Sequence, residues 1–267
     1  MLPLDAEMAC PAATPDSLVQ VEVVAAGLFH TSWSDIEGAG RRGKATLPLN
    51  VGVIRHPLGT VLVDSGLGQT TRDRTFPRFP LSLLDVEVPA GSSAREHAGN
   101  VLRVLLTHGH YDHIGGLFDL PNVEVWTQPA DIYSGWFPAD LIQLVHFVTP
   151  NLGSRVLGRP AVDVLGDGTI WYISTPGHTL GAASVLVRAQ DTQWLFVGDT
   201  AWVETHLHDL RRPETISAMF DSDRAQLDQS LDWSRWFVAN CPGLNVVAGH
   251  EARWTTPAIS TAGAANP

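Results

Sequence analysis

Thr107-His108-Gly109-His110-Tyr111-Asp112-His113-Ile114-Gly115-Gly116 decides how the rest of the chain is read. Four side chains able to bind a metal, His108, His110, Asp112 and His113, fall within six positions. The run before them, Val101 to Leu106, is aliphatic and β-branched except for Arg103 and predicts a buried strand. Gly115 and Gly116 follow at once. The cluster therefore stands where a strand ends and a tight loop begins, a usual home for a site on a sheet scaffold.

The spacing carries chemistry. His108 and His110 are two apart, so in an extended segment both imidazoles point to one side and can grip one cation. Asp112 and His113 come after the chain has left the strand and can turn toward a second. Gly109 lets the backbone pass close to the metals. A purely structural zinc site is more often closed by cysteines, and neither cysteine of this chain lies nearby.

With 267 residues and a hydrophobic fraction of 44%, the chain can build a sizeable core, so disorder is not expected over most of it. A formal net charge of −11 without a basic stripe argues against nucleic acid as a partner. No run of about 18 apolar residues occurs, so no membrane span is expected. Met1 to Glu7 lacks the basic start and apolar run of a leader, which points to a cytoplasmic protein. Cys10 and Cys241 lie far apart and outside any C-x-x-C motif. One disulfide is open to them, but two reduced thiols is the simpler expectation.

Residues 1–17, rich in Pro, Ala and Asp, read as a flexible arm, 18–258 as one domain and 259–267 as a flexible tail. Alternation over Val19 to Phe29 predicts a strand. His30 to Lys44 reads as a loop, with His30 a loop histidine. Asn50–His56 and Gly59–Asp64 flank a turn and predict a hairpin. It ends in Asp64-Ser65-Gly66, where a carboxylate can accept the outer N–H of a metal-bound histidine from behind. Residues 69–99 show no steady period and suggest a lid, a binding loop or an oligomer contact, a homodimer among the options.

Val123 to Trp126 reads as a short strand. Ala130 to Val148 reads as irregular to helical, with Trp136, Phe137, Leu141 and Leu144 either lining a pocket or filling core, and His146 incidental. Val162–Leu165 and Thr169–Ser174, joined by Gly166-Asp167-Gly168, form a second hairpin that delivers Pro176-Gly177-His178. Ala183–Val187 and Trp194–Val197 are strands, the latter ending in Gly198-Asp199-Thr200. Asp223 to Ala239 has helical spacing, with Asp221, Ser222 or Asp223 as its N-cap. Asn245 to Glu251 is a last strand carrying His250.

Taken together in this order, these positions resemble the metallo-β-lactamase superfamily. Its H-x-H-x-D-H signature is matched by His108, His110, Asp112 and His113, and its later positions by His178 in Pro-Gly-His, Asp199 in Gly-Asp-Thr and His250 in Gly-His. The resemblance implies an α+β fold, the αββα sandwich of two mixed β-sheets flanked by helices, with metals at one edge. It implies that His108, His110 and His178 hold a first metal, that Asp112, His113 and His250 hold a second, and that Asp199 bridges them. Two divalent ions are then expected, zinc first, with iron, manganese or cobalt also compatible with mixed nitrogen and oxygen ligation. In that scheme a metal-bridging hydroxide attacks a carbonyl, with Asp112 and Asp199 as the catalytic carboxylates and Asp112 able to pass a proton.

Within the superfamily the sequence looks most like the lactonase-like branch related to N-acyl homoserine lactonases. That implies a small-molecule lactone or carboxylic ester as substrate. With few residues after His250 and an acidic composition, neither the helical region of the glyoxalase II branch nor the basic surfaces of the RNA-processing branches are expected. The alternatives are thioester, aryl-ester or phosphotriester hydrolysis on the same site, or a redox reaction like that of the mononuclear-iron persulfide dioxygenases; the full second ligand set favours two metals. One departure stands out. The best-known lactonases carry a tyrosine three residues after the bridging aspartate, and this chain has Trp202, whose indole can donate a hydrogen bond but cannot exchange a proton. Glu204-Thr205-His206-Leu207 is similar to a stretch in other branches, so His206 is either a site residue or an exposed histidine at a helix start. Tyr111 is expected to pack rather than act as an acid.

Overall fold

The computed structural model describes residues 8–12, 17–38, 41–69, 85–134, 137–190, 192–208 and 216–255. Among them the strands are β1 (Gln20–Ser32), β2 (Lys44–His56), β3 (Gly59–Val63), β4 (Asp85–Glu87), β5 (Val101–Leu105), β6 (Glu124–Trp126), β7 (His146–Val148), β8 (Ser154–Val156), β9 (Arg159–Asp163), β10 (Ile170–Ser174), β11 (Ala183–Arg188), β12 (Gln193–Gly198) and β13 (Leu244–Ala248). The α-helices are α1 (Trp33–Glu37), α2 (Ala94–Ala98), α3 (Tyr111–Ile114), α4 (Pro129–Ile132), α5 (Ala139–Leu144), α6 (Glu204–His208) and α7 (Arg224–Asn240). One sheet has the order β4-β1-β2-β3-β5-β6-β7 and the other β13-β12-β11-β10-β9-β8. Both are mixed: β3, β5, β6 and β7 run parallel in the first, and β12 and β13 are the parallel pair of the second.

Successive side chains of a strand point to opposite faces, and in the central strands both faces are buried. Val61, Val63 and Leu105 of the first sheet meet Ile170, Tyr172, Val185 and Val187 of the second in the core between them. Leu62 and Val104 point the other way, into a layer with Ala94, Ala98, Leu117 and Leu141. Ile173, Leu186, Leu195 and Val197 pack outward on Leu231, Trp233 and Phe237 of α7. Helix α7 starts at Asp223, whose carboxylate accepts the Gln226 N–H, satisfying one of the open donors of the first turn. The layers run helix, sheet, sheet, helix, which is the αββα sandwich.

Several boundaries differ from those the sequence suggests. Strand β1 continues through His30, which pairs with Thr46, and α1 follows it, where a loop is expected. The 69–99 stretch contains β4, paired with β1, and α2, whose Ser93 and Glu96 form a reciprocal capping box. Residues 70–84 and Trp136 lie outside the described residues. His146 to Val148 form β7, paired with β6, rather than helix. The three residues of β4 and of β7 carry too little alternation of their own to register as a pattern.

Cys10 and Cys241 are joined in a disulfide, correcting the expectation of two thiols. Residues 8–12 lie against the α7 layer: Met8 packs on it, and the two cysteines come to a Cα separation of 5.6 Å although 231 residues divide them. Such bonds persist in oxidising surroundings, so this one lends nothing to a cytoplasmic placement. The tail at 259–267 lies outside the described residues. No helix among the described residues is long and apolar enough to cross a membrane.

Candidate metal centre

The candidate residues converge where strands end. Asp64 follows β3, and His108 and His110 follow β5. Helix α3 carries Asp112 and His113, with His110 at its N-cap in extended backbone (φ −73°, ψ 152°). His178 lies between β10 and β11, Asp199 follows β12, and His250 follows β13. The sheets are stitched at this edge by the Ala183 N–H, which donates to the Thr107 carbonyl at 2.7 Å. From β2, the Asn50 side-chain amide donates to the carbonyls of Ala248 and Glu251 (3.0 and 2.9 Å) and fixes the turn that holds His250.

Two clusters share one carboxylate. Nδ1 of His110 is 3.0 Å from Nε2 of His108 and 2.9 Å from Nε2 of His178. Oδ2 of Asp199 faces that group, 3.5 Å from His178 and 4.0 Å from His108. Its other oxygen, Oδ1, is 3.2 Å from Nε2 of His113 and 3.3 Å from Nε2 of His250. Oδ2 of Asp112 completes the second group at 3.7 Å from each of those two nitrogens. His108, His110 and His178 form one triad whose ligand atoms lie within 4.8 Å of one another, as do Asp112, His113 and His250. All of these except Asp112 are buried.

The far side of the histidines is anchored. Nδ1 of His113 meets Oδ2 of Asp64 at 2.8 Å, and the same aspartate accepts the Thr107 N–H and hydroxyl, both at 2.7 Å. Nδ1 of His108 lies 3.2 Å from the Thr107 hydroxyl, Nδ1 of His178 lies 3.0 Å from Oδ1 of Asp221, and Nδ1 of His250 lies 3.1 Å from the Pro48 carbonyl. In these four rings the outer nitrogen thus donates outward, so in the neutral, ligating form the lone pair is on the inward Nε2. Imidazole nitrogens gathered with the carboxylates of Asp112 and Asp199 at this spacing fit a pair of cations.

The charges agree. Burial, reinforced by neighbouring imidazoles, holds His108 and His110 well below the usual histidine range, so both are neutral and able to ligate. Burial works the same way on His113 and His250, but the facing carboxylates, Asp199 first, outweigh it and raise both. Burial would raise the Asp199 carboxyl, yet His250 and His113 hold it well below its ordinary value. This half of the centre asks for positive charge.

Other expectations fall differently. His206 is neither in the cluster nor exposed: it is buried, with Nε2 3.0 Å from the Ile36 carbonyl and Nδ1 accepting the Trp202 N–H. Trp202 packs against the cluster of Ile36, Leu47 and Val203 and edge-on to Phe29, and its ring centroid is 5.5 Å from that of His250. Tyr111 is buried in the outer core of the first sheet, His30 is paired with Glu87 at 3.4 Å, and His146 is exposed. Two buried carboxylates escape the sequence reading. Asp221 reads there only as a helix cap. Asp131 sits in an irregular stretch, and its proximity to the loop of His178 arises only in three dimensions.

The chain matches the metallo-beta-lactamase superfamily over residues 46–235, well over half its length. It is 29% identical over 230 residues, 79% of this chain and 84% of the relative, to N-acyl homoserine lactonase AttM of Rhizobium johnstonii. Among solved structures it is similar to an N-acyl homoserine lactone hydrolase with the product N-hexanoyl-L-homoserine bound at its catalytic metal center (TM-score 0.70, 15% identity, 88% of this chain and 94% of that one). It is also similar to AidC, a dizinc quorum-quenching lactonase (TM-score 0.57, 14% identity, 92% of each chain). The chain belongs to the metallo-beta-lactamase superfamily.

Proposed function

We propose that this protein is a dinuclear metal-dependent hydrolase acting on the carbonyl of a lactone or carboxylic ester. The observation that carries the reading is the Asp199 carboxylate, which offers Oδ2 to one histidine group and Oδ1 to the other. In this reading His108, His110 and His178 hold one cation, Asp112, His113 and His250 hold the other, and Asp199 lies between them. Two divalent ions, zinc or another borderline metal, supply an acidified water and polarise the carbonyl when bound. The protein's own part is to hold the geometry. Asp64 and Asp221 fix the tautomers and ring planes of His113 and His178, and burial keeps bulk water from competing. Asp112 is the most exposed of the seven, with 19% of its side chain accessible, and is placed to pass a proton to a departing alkoxide.

The lactone assignment leans on the 29% identical lactonase, which aligns over most of both chains. A single-iron redox reaction is disfavoured because Asp112, His113 and His250 form a complete second triad. The test is acid release, followed with a pH indicator in weak buffer, from acyl lactones, aryl esters and a glutathione thioester, using metal-loaded and metal-stripped protein. Metal-dependent release from lactones is the expected result. Turnover of thioester or aryl ester alone would move the substrate, and silence on all of them would remove the reading of a hydrolase acting on a carbonyl.

A further inference from the structure

The buried carboxylate of Asp131 belongs to neither histidine group, yet it touches the loops that carry the first. Asp131 is 1% exposed and lies on α4. Its Oδ1 accepts the N–H of Gly181 at 3.1 Å, just beyond His178. A Cβ on Gly181 would stand 2.6 Å from that oxygen, so only glycine lets the loop come this close. Gly109, between His108 and His110, faces the same side chain: a Cβ there would lie 3.4 Å from Cβ of Asp131 and 2.7 Å from the ring of Phe137. Gln128, the N-cap residue of α4, donates to the carbonyls of Gly181 and Ala182 (3.1 and 3.3 Å), so the start of α4 grips this loop twice. Burial pushes the Asp131 carboxyl up to about 6, while the polar groups of Thr179, Gly181 and Gly109 around it favour its charged form. A carboxylate in such a place is costly, and an apolar side chain would pack there at less cost.

We propose that Asp131 is a positioning residue for the His108, His110 and His178 set, tying the 108–110 turn to the 178–181 loop. The two loops follow strands of different sheets, and the carboxylate between them sets the separation of their imidazoles. The role for metal rests on the functional reading above; the tie between the loops does not.

The test compares full-length wild type with Asp131→Asn and Asp131→Ala. In metal-stripped protein, hydrogen–deuterium exchange of peptides spanning 107–111 and 177–182 should quicken by about tenfold in Asp131→Ala, the effect of losing a buried hydrogen bond, and by less in Asp131→Asn, while the β3 peptide is unchanged. In loaded protein, chelator competition should show one of the two ions held about tenfold more weakly, with Asp131→Asn, which keeps one acceptor, lying between wild type and Asp131→Ala. A general loss of stability would loosen both ions and the β3 peptide together and would overturn the proposal. So would wild-type exchange and retention in Asp131→Asn, even if Asp131→Ala failed to fold. A wild type that bound one ion or none, or that hydrolysed nothing, would sink the functional reading alone, and the exchange data would still decide the role of Asp131.

Discussion

Oδ1 of Asp221 lies 3.0 Å from Nδ1 of His178, and the aspartate side chain is 0% exposed. Its other oxygen is 3.5 Å from Nη1 of Arg224 in the first turn of α7. The loop is also held by backbone: the Ser222 and Asp223 N–H groups donate to the His178 and Gly177 carbonyls, each at 2.9 Å. The helix that covers the outer face of the second sheet therefore also aims an imidazole at the candidate metal centre.

Asp221→Asn keeps the shape and removes the charge that favours the Nδ1–H tautomer. Metal retention should fall by about tenfold while the melting temperature of the metal-free protein stays near wild type. Chelator competition beside a thermal melt reads both. Unchanged retention would reduce Asp221 to a loop tether.

The metal-free protein should lose stability as pH rises above neutrality. His113 and His250 have raised values in the fold, so they stabilise fully below about 6.5, the unfolded value, and lose that contribution as pH climbs through the folded values. Asp131, raised to about 6, has reached its full cost by then and adds no slope on this limb. Bound metal replaces those protons, so the loaded protein should keep its stability on the alkaline side. Melts from pH 6 to 9 with and without chelator check this; parallel curves would contradict it.

Strand ends are legible in the chain because each follows an apolar run of period two or a buried strand, and Asp64, His108, His178, Asp199 and His250 all stand at such ends. Asp131 and Asp221 are not legible, because an irregular stretch gives no face or register from which a long-range contact could be read. The short strands β4, β7 and β8 escape for a related reason: edge pairing decides them, not their own pattern. The pairing of Cys10 with Cys241 has no local signature at all.

That disulfide gives a direct chemical check. Denatured, unreduced protein should show no free thiol in a titration. Reduction, or Cys10→Ser, should lower stability by roughly 5 kcal/mol in urea unfolding, since the bond closes nearly the whole chain. Two free thiols in the unreduced protein would refute the pairing.

Trp202 occupies a place where packing and chemistry can be separated. Its indole N–H is buried and meets no acceptor among the described residues, and its ring stands edge-on to His250. Trp202→Phe, like Trp202→Tyr, should retain metal-dependent hydrolysis within about fivefold, because a large ring still packs there. Trp202→Ala should cost roughly 2 kcal/mol of stability. Loss of activity in Trp202→Phe at full metal content would instead mean that the indole N–H binds the substrate.

The most direct test of the account is metal content, measured by elemental analysis of wild type and Asp199→Ala after loading and dialysis against metal-free buffer. If Asp199 joins two cations, wild type will hold two per chain and the variant one at most. A wild type with one ion or none, or a variant that still holds two, would contradict the dinuclear centre.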